Sequence, residues 1–107
     1  SLADPVLAEG LAAWRARFTE LPRDTIGLSA ASVVERGAIL PSLHRTPVPI
    51  LAISGDEDWV YPADHAERIA AAVQDGRAAQ VTAAGHSGIW ERAGATNALI
   101  REWLDAH

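Results

Sequence analysis

The apolar run VPILAIS, residues 48–54, breaks at Gly55 into three consecutive acids, Asp56, Glu57 and Asp58. It is too short for a helix and is bounded by Pro and Gly. A continuous, non-alternating run of this kind predicts a strand covered on both faces, as in a parallel sheet. Such a strand cannot stand alone, because parallel neighbours need crossover connections.

The sequence that follows supplies the crossover. From Pro62 the apolar positions change to a helical period, through Ala66, Ile69, Ala70 and Val73, and Gly76 marks a stop. AAQVTAAG (78–85) then predicts a second strand. HSGIWERAGATNALIREWLDAH predicts one closing helix, with Ile89, Ala93, Thr96, Leu99, Ile100, Trp103 and Leu104 on one face. Residues 48–105 therefore predict strand, helix, strand, helix: a βαβ unit with a covering helix. Two parallel strands would both be edges with unpaired backbone groups, so the chain is expected to be the end of a larger sheet.

Upstream, Asp4 and Pro5 predict a capped helix start. Leu7, Leu11, Trp14, Phe18 and Leu21 form one apolar stripe, in which Trp14 and Phe18 are expected to pack; Pro22 ends the helix. Residues 24–40 predict a second helix softened by Gly27 and Gly37. PSLHRTPVP (41–49) predicts a connector, and no internal repeat or low-complexity tract is present.

With 107 residues the chain has room for one small domain. A net charge of −5 without any basic run argues against a nucleic-acid or anionic-membrane surface. Without cysteine there is no disulfide, zinc–thiolate site or thiol nucleophile, and a reducing, cytoplasmic setting is expected. No apolar run approaches the ~20 residues that span a bilayer. The amphipathic opening segment does not read as a signal sequence. The chain begins at Ser1 and contains no methionine, so the expectation is a processed product, a fragment, or a product trimmed at its start.

Parallel strands place both of their C-terminal loops on one side of the sheet, the edge where open α/β folds carry reactive groups. The first loop holds the acids and the second holds His86 beside Gly85. A carboxylate and an imidazole meeting there would form the orienting half of a nucleophile–His–acid triad.

PVPILAISGDEDWVYPADHAERIA together with VTAAGHSGIWE…NALIREWLDAH resembles the carboxy-terminal part of the α/β-hydrolase fold. Gly55, Asp58 and Pro62 match that family's Gly-x-x-Asp turn with its following proline, and Gly85 and His86 match its Gly-His loop. The resemblance covers residues 47–105 and implies an α/β fold: the C-terminal portion of an α/β-hydrolase parallel sheet, residues 47–107, preceded by cap or lid helices and connector, residues 1–46. It selects Asp58 as the acid and His86 as general base and acid, and leaves Asp56 and Glu57 facing solvent. Trp59, Tyr61 and Trp90, next to these loops, are candidates for a substrate pocket or for simple loop packing. His44, His65 and His107 are expected to be inert.

The family's Gly-x-Ser-x-Gly elbow is absent. GLSAAS (27–32) has no preceding strand, and Ala31 replaces the second glycine. The resemblance thus implies hydrolysis of an ester, lactone or similar acyl bond of a small molecule, closest to small-molecule esterases and enol-lactonases, with the nucleophile and oxyanion donors on a companion N-terminal polypeptide. The chain alone is expected to be inactive, and no cofactor or metal is implied. An Asp at the elbow would imply a dehalogenase or epoxide hydrolase instead. A Gly or Ala there would imply a non-catalytic binding protein.

Overall fold

The computed structural model describes residues 5–107; Asp4, the expected helix cap, lies outside them. The chain divides into two compact units between Ala38 and Ile39.

The first unit is built from helices α1 (Pro5–Glu20) and α2 (Arg23–Val34). Proline occupies the first position of α1, where its missing N–H costs nothing. The Trp14 and Phe18 rings stack with centroids 5.1 Å apart, although both remain exposed. Helix α2 ends at Val34 rather than running to 40; the Glu35 N–H closes its last turn on the Ala31 carbonyl. Three hydroxyls in α2, those of Thr25, Ser29 and Ser32, donate back to carbonyls one turn earlier. This local bonding competes with regular helix and suits a short element.

The second unit carries the predicted strand–helix–strand. Strand β1 (Ile50–Gly55) pairs in parallel with β2 (Gly76–Val81), in register from Ile50 opposite Gly76 to Gly55 opposite Val81. Helix α3 (Ala63–Ala72) forms the crossover and packs on both strands. The proline connector is not wholly irregular: Leu40–Arg45 form a 3₁₀ helix that also packs against α3. Strand β2 begins at Gly76, the residue read as the stop of α3. A Cβ there would lie 2.9 Å from the Ala70 carbonyl carbon, so one glycine serves both the tight helix exit and the strand entry.

The closing helix is two helices, α4 (Gly88–Glu91) and α5 (Ala93–Ala106), broken at Arg92, whose φ is −137° and ψ 51°. Thr96 in α5 is fully buried and donates its hydroxyl to the Gly88 carbonyl at 3.1 Å, tying the two across the break. The core of this unit is made of small side chains: Ala52, Ala66, Val81, Ala84 and Thr96.

The two strands end against each other without side chains between them. A Cβ on Gly55 would sit 2.6 Å from both the Ala84 carbonyl carbon and the Gly85 oxygen, all backbone atoms that cannot swing away. Gly55→Ala should therefore destabilise this unit by at least the ~1–3 kcal/mol typical of overpacking, measured by urea unfolding of the chain. Ala83, in the turn after β2, has φ 53°, a left-handed conformation that costs a side-chain-bearing residue energy. Ala83→Gly should stabilise this unit by about 1 kcal/mol or less, read as a higher urea midpoint, once the greater unfolded-state freedom of glycine is set against the relieved strain.

Candidate active site

The backbone stitches the two loops together first. The Asp56 N–H donates to the Val81 carbonyl at 3.1 Å and the Glu57 N–H to the Ala84 carbonyl at 2.9 Å. The Asp56 carboxylate accepts the Ala84 N–H at 3.2 Å. Asp56 is exposed, as expected, yet it also bridges the loops, and this role was not visible in the sequence. Of the three acids, Asp56 and Asp58 accept hydrogen bonds, and the Glu57 side chain makes none among the described residues.

Asp58 is held by its own turn. Its N–H donates to the Gly55 carbonyl at 3.3 Å, closing a four-residue turn. Its Oδ1 accepts two backbone N–H groups, from Val60 at 2.8 Å and Tyr61 at 3.0 Å, an arrangement aspartate forms readily at turns. Oδ2 is left pointing across the gap, where it lies 3.0 Å from His86 Nδ1. The Asp58 side chain is 7% exposed, against 54% for His86.

The Asp58 carboxyl is held below its ordinary value of 3.8, first by the Tyr61 N–H. Partial burial works in the opposite direction, and the His86 ring and the Val60 N–H add to the lowering. An ionised carboxylate can only accept, so the proton of the contact lies on His86 Nδ1, and Nε2 is the acceptor nitrogen of the neutral ring.

The loop carrying His86 has a second carboxylate beneath it. Glu91 accepts the Gly85 N–H on Oε2 at 2.7 Å and the Ser87 N–H on Oε1 at 3.1 Å. Glu91 lies four residues after Ser87, one more than the serine–glutamate spacing of a capping box, so the sequence pattern does not announce this contact.

The aromatic neighbours separate into two groups. The Tyr61 ring lies 5.5 Å from the His86 ring and 5.3 Å from that of His65, centroid to centroid. Trp59 and Trp90 are 94% and 76% exposed. A cavity of about 160 Å³ opens beside the Asp58–His86 pair, with Ile53, Ser54, Ile89 and Thr96 among its lining residues; Trp59, Tyr61 and Trp90 are not part of its wall. Its volume falls short of the ~300–1,000 Å³ usual for a small-molecule site. His107 is tied down away from the pair, with Nε2 3.3 Å from Asp75 Oδ2 and Nδ1 2.9 Å from the Trp103 carbonyl. Among the described residues no cluster of His, Cys, Asp or Glu could hold a metal ion, and no helix is long and apolar enough to cross a membrane.

No protein-family model and no curated protein matches the chain. Solved structures do. One is BpoC of Mycobacterium tuberculosis H37Rv, provisionally named a non-heme bromoperoxidase: 31% identity, a TM-score of 0.59, and coverage of 63% of this chain and 25% of that one. Another is MGS-MChE2, an α/β-hydrolase enzyme from the metagenome of lagoon sediments at Mar Chica, Morocco: 22% identity, a TM-score of 0.67, and coverage of 99% of this chain and 47% of that one. The chain thus spans about a quarter of the first neighbour's length and about half of the second's. With its parallel strand pair, the chain has part of the α/β-hydrolase fold that both neighbours share.

Proposed function

We propose that the chain contributes the acid and the base of a hydrolase triad, His86 acting as general base and then general acid and Asp58 as its orienting partner. The observation carrying this reading is the 3.0 Å contact from Asp58 Oδ2 to His86 Nδ1, with Oδ1 already committed to two backbone N–H groups. The carboxylate fixes the tautomer, so Nε2 is the basic nitrogen. It would take a proton from a hydroxyl nucleophile and later return it to the leaving group. A carboxylate nearby also stabilises the imidazolium formed in between.

The nucleophile and oxyanion donors would come from a companion N-terminal segment of the same enzyme. Three observations support this. Both strands have an open edge among the described residues. The cavity beside the pair is small. Large apolar side chains, Val48, Val60, Ile89 and Leu104 as well as Trp59 and Trp90, are exposed. Adding strands and an elbow would enlarge the cavity toward these side chains, where Trp59, Tyr61 and Trp90 would line an apolar substrate site. A small ester or lactone is the substrate class proposed, and the cytoplasm the compartment. Residues before the proline connector would serve as cap or lid helices.

The test pairs this chain with a segment bearing the elbow serine and follows hydrolysis of small aryl esters and lactones. His86→Ala should lower kcat by roughly three to six powers of ten. Asp58→Asn should cost up to about four, through loss of the correct tautomer. Near-intact turnover in His86→Ala would remove the assignment. A separate check concerns the acid alone. Because its folded pKa is depressed, Asp58 contributes stability that is fully present above its ordinary value and lost as pH falls through the folded one. Its side-chain carboxyl carbon should titrate below 3.8 by NMR, and the midpoint should rise in His86→Ala. A midpoint at or above 3.8 in the unaltered chain contradicts the hydrogen-bonded geometry.

A further inference from the structure

We infer that Glu91 is the positioning residue for His86: its carboxylate grips the backbone on both sides of the histidine and thereby sets the ring against Asp58. The inference rests on the proposed role of His86, but its test does not depend on turnover. The two acceptor bonds, from Gly85 at 2.7 Å and Ser87 at 3.1 Å, bracket a single residue, and that residue is His86.

A plain helix cap explains only part of this. The Glu91 carboxylate reaches back to the Ser87 N–H at the start of α4, while the Glu91 N–H to Ser87 carbonyl bond at 3.0 Å is an ordinary backbone turn bond. Reaching back in this way is what a capping glutamate does for a short helix. The Gly85 bond is the shorter of the two and lies outside the helix, on the far side of His86. Gly85 itself makes room for it: a Cβ there would press to 3.1 and 3.3 Å from the two carboxylate oxygens. Seating the carboxylate therefore depends on a residue that is otherwise only the neighbour of the histidine.

Few other groups hold His86. Its ring is largely exposed and touches Asp58 and Tyr61. The loop is fixed at Ala84 by Asp56 and Glu57, and at Gly85 and Ser87 by Glu91. Glu91 sets the backbone from which the His86 ring projects, and only from that position can Nδ1 meet Asp58. An error of ~1 Å at such a group can cost ~100-fold in rate.

The experiment uses the full chain and reads the imidazole directly, by nitrogen–proton correlation NMR of His86 and exchange of its Nδ1 proton. Glu91→Gln keeps the volume but leaves one acceptor oxygen for two N–H groups. It should speed Nδ1–H exchange at least about tenfold and mix the two tautomers, while the Ala84 amide stays protected. Glu91→Ala should do so more strongly; if that variant fails to fold, Glu91→Gln decides. In the assembled enzyme the same change should lower kcat at least about tenfold with KM within about twofold. A His86 ring signal and exchange rate unchanged in Glu91→Gln would overturn the inference. Altered His86 signals together with turnover that survives His86→Ala would leave the positioning intact and remove the catalytic reading instead.

Discussion

The close approach of two backbone segments, with no side chain allowed between them, is the constraint on which the rest of the site depends. At Gly55 the end of β1 meets the Ala84 and Gly85 carbonyl groups at a separation that excludes a methyl group. Because the strands are parallel, this contact sits where both loops leave the sheet. It lets the Asp56 and Glu57 N–H groups reach carbonyls of the opposite strand end, extending the ladder one step into the loops. The loops become one bonded surface, and Asp58 and His86 project from it at hydrogen-bond distance.

That surface also explains why acids crowd there. Loop backbones expose N–H groups that no longer have sheet or helix partners, and each must be satisfied. Here carboxylates accept them: Asp56 takes one, Asp58 two and Glu91 two. Such charge-assisted bonds are the stronger kind. The adjacent charges at 56–58 are tolerated because two of them are neutralised in part by amide dipoles and Glu57 stays in water. One consequence is functional: with Oδ1 saturated by its own turn, Asp58 has one oxygen left for an imidazole.

Much of the architecture was legible in the sequence because apolar period reports burial. The uninterrupted VPILAIS run and the 3.6 period after Pro62 gave strand β1 and helix α3, and the parallel pairing followed from the crossover. The Gly-x-x-Asp and Gly-His turns brought Asp58 and His86 to the same edge, where the structure also has them. Element ends were less legible. Strand β2 starts two residues earlier than read and stops at Val81, because the left-handed Ala83 turns the chain out of the sheet. The break at Arg92 was invisible, since Thr96, a residue of the apolar stripe, uses its hydroxyl to bridge the break. Asp56 and Glu91 were missed for a related reason. Their partners are backbone N–H groups, which carry no signature in a side-chain pattern.

The composition of the core bears on how such a site stays rigid. Burial here is supplied by Ala52, Ala66, Ala84, Val81 and Thr96, side chains that remove little apolar area from water each. Small residues allow close approach of helix to strand but contribute few contacts. The geometry of the Asp58–His86 pair therefore cannot be inherited from a large packed core behind it; it is built from short bonds within the loops themselves. Such bonds are local in sequence on each side, Gly55 to Tyr61 and Ala84 to Glu91, and the halves are joined by the stitches through Asp56 and Glu57 and by the Asp58–His86 bond itself. A site made this way can keep its shape while the sheet is extended by further strands, because added strands would pair at the open edges and leave the loop bonds untouched.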